Sequence, residues 1–377
     1  MKKHLPLALF LITRIFAIFF MSAILTDTLY YSTLAQKMFA GAVPYIDFPF
    51  EYPPFAIFPI YLPGVISTES YRLWFMCLAF IFDFTIFWEI KKQGKELLLY
   101  VVLSSFLLPF ALERLDIFMV LPIILAILAY QRKEYTKGAI YSTLGGWLKL
   151  IPFITYIGLW KDKNFTRTLT KIIILNLVIL TIFSISFYSN MFDFLKYHLN
   201  RPFQVESVMA SLIFGASKIF SIPFSIVNSF GSQNILFNYN EVILKLFSIL
   251  LFISFAYLLI FYYKNKCRIN LFDMTTTLLL ALMVFSKVLS DQYFLWPLAL
   301  IFLGHSITQM KITDKMILGF IYLSTSLIFI NYRDFIAGRG PWQILLFLKN
   351  LGLIFIAWRS FQLLKAQTLT HANSQNS

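Results

Sequence analysis

Long apolar runs recur along the whole of this chain, and each is about 15–23 residues long. A helix needs roughly 20 consecutive apolar residues to cross a bilayer, and lipid requires its backbone groups to be hydrogen-bonded internally. The runs lie near residues 5–25, 52–66, 70–90, 97–111, 115–130, 138–160, 169–188, 208–228, 241–263, 272–288, 291–307, 314–330 and 342–363. They predict an all-α, polytopic transmembrane protein with roughly 10–13 membrane segments, some of them broken or re-entrant.

The composition excludes an ordinary soluble protein. Hydrophobic residues make up 59% of the 377 and charged residues only 13%, against about 45–50% and about 25% in soluble domains. Basic loops that hold the orientation in the membrane explain the net charge of +14 without a nucleic-acid partner. The chain has no Walker-type loop, and its two cysteines have no disulfide or metal spacing. We therefore expect the lipid bilayer as a partner, and neither a cofactor nor a metal.

The N-terminus is basic and then apolar for about 20 residues, which is the length of a spanning helix. A cleaved signal peptide has a shorter apolar core and a small-residue cleavage site. Ser22–Ala23 resembles such a site only weakly, so the pattern predicts an uncleaved first span.

Loop charges predict the orientation. Five connecting segments are rich in Lys and Arg, namely "KKQGKE", "QRKEYTKG", "KDKNFTRTLTK", "KNKCR" and "MKITDK". The positive-inside rule places all five in the cytoplasm with the N-terminus, in a multi-pass protein of the plasma (inner) membrane. We expect one transmembrane domain over residues 1–363, with an outer loop at 26–51, and a disordered polar cytoplasmic tail at 364–377.

Simple alternation of crossings fails in three places. The run 138–160 begins and ends inside, and its middle "STLGGWLKLIPF" predicts two half-helices that meet at a break near Lys149. The proline-rich run 52–66 is expected to enter the membrane and return to the outside. Residues 208–240 are expected to form short helices that end outside. Irregular backbone is tolerated at membrane depth where it lines a cavity, so these breaks indicate a site on the outer face.

The loop 26–51 carries the first candidate group. Thr26 or Asp27 suits the cap of a short helix over 28–40, which Gly41 would end. Asp27 also suits a general base that takes a proton from an acceptor hydroxyl. Asp47 and Glu51 are alternatives for that base, and Glu51 equally suits an acid near a helix start.

Charged residues follow on later outer segments. Glu113, Arg114 and Asp116 form either interfacial ion pairs or part of a site. Lys149 lies within an apolar segment, where an ammonium is costly and usually functional unless it reaches the surface.

The segment 194–208 combines cations with polar groups: Lys196, His198, Arg201, Gln204 and Glu206. Arg suits bidentate phosphate contact and His can donate beside it, although an amphipathic interfacial helix gives the same pattern. Ser290, Asp291, Gln292 and Tyr293 begin a later span, as a helix cap with an aromatic belt would. Arg333, Asp334 and Arg339 add charge to the last outer loop.

The ordered motifs resemble family 87 of the GT-C superfamily of glycosyltransferases over residues 1 to about 300. "TDTLYYSTLAQKMFAGAVPYIDFPFEYPP" is similar to the first outer loop of that family, which includes a Tyr-Pro-Pro with Tyr52 here. "RLDIFMVLPIILAILAYQRKEYTKGAIYSTLGGWLKLIPF" is similar to its middle section, and "YHLNRPFQVES" and "KVLSDQYFLWPL" to two later outer motifs. Asp291 stands where the family commonly has proline.

The resemblance implies a GT-C-like fold and an inverting transferase. The donor would be a polyprenyl-phosphate sugar carrying mannose or another hexose, and the acceptor a glycan or glycolipid on the outer face. Asp27 maps to the catalytic carboxylate. Lys149, His198 and Arg201 would neutralise the lipid phosphate, and Gln292 and Tyr293 would bind sugar or phosphate. Supporting outer-face residues would be Asp47, Glu51, Tyr52, Arg114, Asp116, Gln204 and Glu206.

Two other functions fit the same membrane pattern. A flippase or transporter for a lipid-linked sugar would also need outer cations and broken helices, but it predicts internal repeats that the sequence lacks. A polysaccharide polymerase or ligase would use large outer loops with paired arginines, which Arg333 and Arg339 match only faintly.

Overall fold

The computed structural model describes residues 4–21 and 27–373. It is 77% helical with 4% strand, which agrees with the all-α class. The α-helices are α1 Leu5–Phe20, α2 Asp27–Phe39, α3 Ile57–Ile66, α4 Tyr71–Gln93, α5 Leu97–Ser105, α6 Leu108–Glu113, α7 Asp116–Gln131, α8 Tyr135–Leu148, α9 Phe165–Phe187, α10 Asp193–Leu199, α11 Val208–Phe220, α12 Asn240–Asn265, α13 Leu271–Phe285, α14 Leu295–Leu303, α15 Ser306–Gln309, α16 Ile312–Ile330, α17 Tyr332–Ile336 and α18 Trp342–Asn373. Short 3-10 helices cover Pro54–Ala56, Ile151–Lys161, Tyr188–Phe192 and Asp291–Phe294.

Five of these helices, α4, α9, α12, α16 and α18, are long and apolar enough to cross a membrane. Shorter apolar helices cover Leu5–Phe20, Pro54–Ile66, Asp116–Gln131, Val208–Phe220, Leu271–Phe285 and Asp291–Leu303. The chain is therefore a membrane protein with several spans.

The chain folds as two compact units, although the sequence predicted one domain over 1–363. The first unit comprises residues 1–101 and 108–199, and the second comprises 102–107 and 200–377. In the first unit, the ring of Phe10 in α1 stacks on Phe87 in α4 at 4.2 Å between centroids. One turn away, Arg14 Nε donates to Asp83 Oδ2 at 3.0 Å, with both side chains buried. This ion pair joins α1 to α4 inside otherwise apolar helices.

The predicted break near Lys149 is confirmed. Helix α8 ends at Leu148, Lys149 is extended with φ −159° and ψ 128°, and a 3-10 helix follows over 151–161. The two halves pack against each other through hydroxyl groups, with Ser142 Oγ and Thr155 Oγ1 2.6 Å apart. The Gly pair of the motif lies in this contact, because a Cβ on Gly145 would stand 2.8 Å from Pro152 Cβ.

The proline-rich run 52–66 forms a short helical segment, a 3-10 turn over Pro54–Ala56 that continues into α3. Its 13 residues reach about 20 Å at 1.5 Å per residue, which is less than the roughly 30 Å of a hydrocarbon core. Four residues separate this segment from α4, and Tyr71 Oη donates to the carbonyl of Ile60 at 2.7 Å. The segment is thus too short for a straight span, as the re-entrant prediction requires.

The prediction of short helices throughout 208–240 is wrong beyond Phe220. Three strands, β1 Phe203–Gln204, β2 Phe224–Ser229 and β3 Ser232–Phe237, form an antiparallel sheet in the order β1-β3-β2. Phe230 and Gly231, both with positive φ, make the two-residue turn between β2 and β3. Positive φ at both turn positions is the type I′ geometry that fits a β-hairpin.

The prediction of a disordered tail from residue 364 is also wrong for residues 364–373. Helix α18 continues to Asn373, and Gln367 Nε2 donates to Asp273 Oδ2 at 2.7 Å. That buried contact anchors the end of the helix. Ser22, Ala23 and Thr26, which the cleavage-site and cap predictions concern, lie outside the described residues, as do residues 374–377.

Candidate functional site

Asp27, the predicted general base, is the first residue of α2 in the first unit. Its carboxylate Oδ1 accepts a hydrogen bond from Arg114 Nη1, and the two side chains remain 17% and 21% exposed. Arg114 lies between α6 and α7, in the turn that the sequence placed on the outer face. Both side chains of this ion pair are therefore mostly buried, but each keeps an exposed part that a ligand can contact.

A second ion pair joins Lys149 to Asp116, which is two residues after Arg114 in the sequence. Asp116 begins α7, and its Oδ1 accepts a hydrogen bond from Lys149 Nζ at 2.7 Å. Asp116 is buried, whereas 21% of the Lys149 side chain is exposed. Asp116 also interacts electrostatically with both Asp27 and Arg114. Because α8 stops one residue earlier, the extended backbone at Lys149 brings its ammonium to α7, and the four charges alternate in sign.

Aromatic residues enclose Asp27. The buried Tyr31, one helical turn further along α2, is hydrogen-bonded through its phenol to Tyr52. Their ring centroids are 6.1 Å apart. Glu51, beside Tyr52, interacts electrostatically with Asp27. Glu51 and Tyr52 therefore lie close to Asp27 and its neighbour Tyr31.

Burial raises the pKa of the Asp27 carboxyl above its usual 3.8. Arg114 opposes the shift by favouring the charged form, while Glu51 adds to it through charge repulsion. A carboxylate with a raised pKa is a stronger base than an ordinary one. We call Asp27, Glu51, Arg114, Asp116 and Lys149 the Asp27 cluster.

Glu113 and Arg72 support this cluster. The fully buried Glu113 accepts from Arg72 Nη2 at 2.6 Å through Oε1 and from Thr28 Oγ1 at 3.2 Å through Oε2. Arg72 also donates to the carbonyl of Met21 at 3.0 Å. Because Thr28 adjoins Asp27, these bonds hold the start of α2 against α4 and α6. The sequence had singled out Glu113 but missed Arg72.

Two predicted residues of the first unit lie elsewhere. The exposed Asp47 accepts a hydrogen bond from the Val43 amide at 2.7 Å, so its carboxylate closes a local turn and is not part of the Asp27 cluster. His198 is exposed near the end of α10, with its ring 5.6 Å from Tyr197. Lys196 in the same helix pairs with Asp193 at 2.8 Å.

The second unit has its own buried polar cluster, which we call the Glu206 cluster: Glu206, Asp291, Lys349 and Asn350. Lys349 Nζ donates to Asp291 Oδ1 at 3.3 Å, and both side chains are buried. Asn350 Nδ2 donates to the carbonyl of Glu206 at 3.1 Å. Two oxygens of this cluster, Glu206 Oε2 and Asn350 Oδ1, accept no hydrogen bond from a described residue, and neither does Gln204 Oε1, which is also buried.

Other predicted donor-site residues lie near this cluster in sequence. Arg201 Nη2 donates to Ser232 Oγ at 2.6 Å, next to the β-hairpin turn. Gln292 Oε1 accepts from Ser290 Oγ at 2.6 Å, and the Tyr293 ring stacks on Trp296 at 3.9 Å. Gln292 and Tyr293 are half-buried. All three belong to the second unit, whereas Lys149 and His198 belong to the first.

Lys349 and Asn350 are the main residues that the sequence interpretation missed. Lys349 lies in the apolar run 342–363, where a buried ammonium is as costly as at Lys149. The rule that singled out Lys149 applies equally to Lys349. Tyr31 and Arg72 carried no comparable signal, because tyrosines and interfacial cations are common in membrane proteins.

The part of the chain that the structure describes contains no group of three or more His, Cys, Asp or Glu side chains arranged to hold a metal ion. Comparison of the chain with protein-family models, curated proteins and solved structures finds no match. The geometry of the two clusters is therefore the basis for a functional interpretation.

Proposed function

We propose that the protein is an integral membrane glycosyltransferase of GT-C type. It moves mannose or another hexose from a polyprenyl-phosphate donor to a glycan or glycolipid acceptor on the outer face of the membrane. The observation that carries this proposal is the Asp27 carboxylate, which is largely buried but still accessible, has a raised pKa, is paired with Arg114 and lies near the Asp116–Lys149 ion pair.

In the proposed reaction, Asp27 takes the proton of an acceptor hydroxyl. The acceptor oxygen forms a bond to the anomeric carbon from the face opposite the phosphate. The bond between that carbon and the phosphate oxygen breaks, its electron pair stays on the phosphate, and the configuration inverts. General base catalysis of this kind contributes about 10²–10⁴-fold to a rate.

The charges of the Asp27 cluster favour this sequence of events. Three carboxylates, Asp27, Glu51 and Asp116, face two cations, Arg114 and Lys149. Protonation of Asp27 removes one negative charge and weakens its bond to Arg114. The guanidinium can then stabilise the charge that develops on the departing phosphate, and its buried Nε has no hydrogen-bond acceptor within the described chain.

The second unit supplies features that suit a sugar. Sugar hydroxyl groups both donate and accept hydrogen bonds, and two buried oxygens of the Glu206 cluster, Glu206 Oε2 and Asn350 Oδ1, have no partner among the described residues. A buried polar group that lacks a partner costs about 1–3 kcal/mol, so a ligand that satisfies these oxygens is stabilised by that amount. The donor-binding roles that the family resemblance implies for Arg201, His198, Gln292 and Tyr293 stay predictions.

The test is sugar transfer by the purified full-length protein from radiolabelled polyprenyl-phosphate hexoses to a panel of glycan and glycolipid acceptors. Asp27→Asn keeps the size of the side chain but removes its basicity, and we expect a rate loss of about 10²–10⁴-fold. Asp47→Asn is the matched control, because Asp47 lies in an exposed turn outside the cluster. Equal rates for Asp27→Asn and wild type would refute the assignment of the base.

The break at Lys149 also suits a flippase for a lipid-linked sugar, since transporters bind substrates at discontinuous helices. Proteoliposomes that carry the labelled donor distinguish the two functions. A flippase would move intact donor across the bilayer and form no glycosidic product, whatever acceptor is supplied.

A further inference from the structure

A basic cleft lies in the first unit, away from the Asp27 cluster in sequence and on the opposite face of the predicted topology. It has a volume of about 660 Å³ and is formed by the turn before α8 and the start of α9. Its lining residues include four cations, Lys133, Lys137, Arg167 and Lys171, and two acids, Glu134 and Asp162.

Both acids already have an ion-pair or hydrogen-bond partner within the protein. Glu134 pairs with Lys137 at 3.3 Å. The two carboxylate oxygens of Asp162 accept from the Asn164 amide at 2.8 Å and from Thr168 Oγ1 at 2.6 Å. Within the described chain, by contrast, the exposed Lys133, Arg167 and Lys171 form no ion pair. The cleft therefore presents three cations to a ligand from two sides.

An apolar stripe continues from these cations along α9. Arg167 and Lys171 are four residues apart and share one face of the helix. Further along the same face come Ile174, Ile182 and Ile185, which are 55%, 55% and 73% exposed. Ile185 lies 14 positions after Lys171, which is about 21 Å along the helix at 1.5 Å per residue and exceeds the roughly 15 Å depth of one leaflet.

We propose that this cleft binds the phosphate of an anionic phospholipid in the cytoplasmic leaflet, with the acyl chains lying along the apolar face of α9. A soluble phosphate would contact only the cations, whereas a phospholipid would contact both the cations and the adjoining apolar face of α9. Basic pockets between membrane helices on the cytoplasmic side are suited to anionic headgroups, and each nearby cation contributes about fivefold to binding.

The experiment measures lipid retention by native mass spectrometry of the full-length protein, released from nanodiscs of phosphatidylglycerol mixed with phosphatidylcholine. The test variant is Arg167→Gln/Lys171→Gln, for which we expect about 30-fold weaker phosphatidylglycerol binding. The control is Lys264→Gln/Arg268→Gln, which makes the same charge change in another basic loop and should bind as wild type does. Lys133→Gln changes the other wall and should weaken binding by about fivefold, even if the double variant folds poorly.

Three results would overturn the proposal. Equal loss in the test and control variants would mean that only overall charge attracts the lipid. Equal retention of phosphatidylcholine and phosphatidylglycerol would mean that the cations do not select the headgroup. Displacement of the lipid by an equimolar amount of inorganic phosphate would mean that the site takes a free anion.

Discussion

At the scale of single residues, Glu206 shows how folding changes the chemistry of a carboxyl group. Burial raises its pKa from 4.5 to about 8, the neighbouring charge of Asp291 adds to the shift, and Lys349 opposes it. A carboxylic acid that stays protonated near neutral pH can donate a hydrogen bond as well as accept one. A protonated Glu206 can therefore donate a hydrogen bond to a sugar oxygen, which a carboxylate cannot do.

The raised pKa also makes stability depend on pH. The folded state holds a proton that the unfolded state has already released, so the stability that the proton confers falls as the pH rises from about 4.5 to about 8. We predict that the apparent Tm of the detergent-solubilised wild type falls over this window, and that Glu206→Gln removes most of the fall. Glu241→Gln, a change at an exposed carboxylate in α12, should leave the profile as in wild type. A Glu206→Gln profile parallel to that of wild type would contradict the prediction.

Residue-level chemistry could be predicted from the sequence where a charge interrupts an apolar run. Lys149 was found in this way, and Lys349 follows from the same rule. The pairing partners could not be predicted, because Asp116 and Lys149 are 33 positions apart and Asp291 and Lys349 are 58 apart. Only the packing of separate helices brings such groups together.

At the scale of secondary-structure elements, local composition decided which predictions succeeded. The Gly pair and Pro152 predicted the break after α8, because glycine and proline act on the backbone nearby. The hairpin β2–β3 was missed, although Phe224 and Ile226 alternate with polar Ser225 before a Phe-Gly turn. Short apolar strands and helix segments are hard to separate by periodicity alone in such an apolar chain.

The broken helix depends on a close approach at Gly145. A Cβ there would stand 2.7 Å from Pro122 Cβ of α7 and 2.8 Å from Pro152 Cβ. We predict that Gly145→Ala lowers stability, because an overpacked core loses about 1–3 kcal/mol and alanine recovers at most about 1 kcal/mol of helix propensity. Displacement of this contact would also shift Lys149, four residues later.

The matched control is Gly319→Ala in α16, where the nearest side-chain atom to a new Cβ is 4.0 Å away. This change should leave the apparent Tm unchanged or raise it, since only helix propensity changes. Thermal unfolding of both variants in detergent gives the comparison. If Gly145→Ala unfolds at the same temperature as Gly319→Ala, the packing at the break does not require glycine.

At the scale of the whole molecule, chain order in the second unit agrees with alternating crossings. Helix α12 leads from the β-hairpin to the basic segment 264–268, and α13 leads away from it. Helix α16 begins within the basic segment 310–315, and α18 follows the segment 331–341, which contains α17. The positive-inside rule predicts that the basic segments 264–268 and 310–315 both face the cytoplasm.

This order gives a prediction about accessibility. Cys267 is exposed and lies in a basic segment, so it should face the cytoplasm. Ala40 is exposed between α2 and Gly41, in the loop that carries Asp27, and should face outward. In spheroplasts, a membrane-impermeant maleimide should label an Ala40→Cys variant that lacks both native cysteines. It should label Cys267 in a Cys77→Ala background only after permeabilisation.

Labelling of both positions in detergent confirms that each thiol can react, so protection in spheroplasts reports the side of the membrane. If Cys267 reacts from outside and the Ala40→Cys thiol only after permeabilisation, the whole orientation is reversed. If both react from one side, the number of crossings between them is even rather than odd. Asp27 begins α2 and residue 40 directly follows its last residue. If the Ala40→Cys thiol reacted only from the cytoplasmic side, Asp27 would not lie on the face where the proposed acceptor lies.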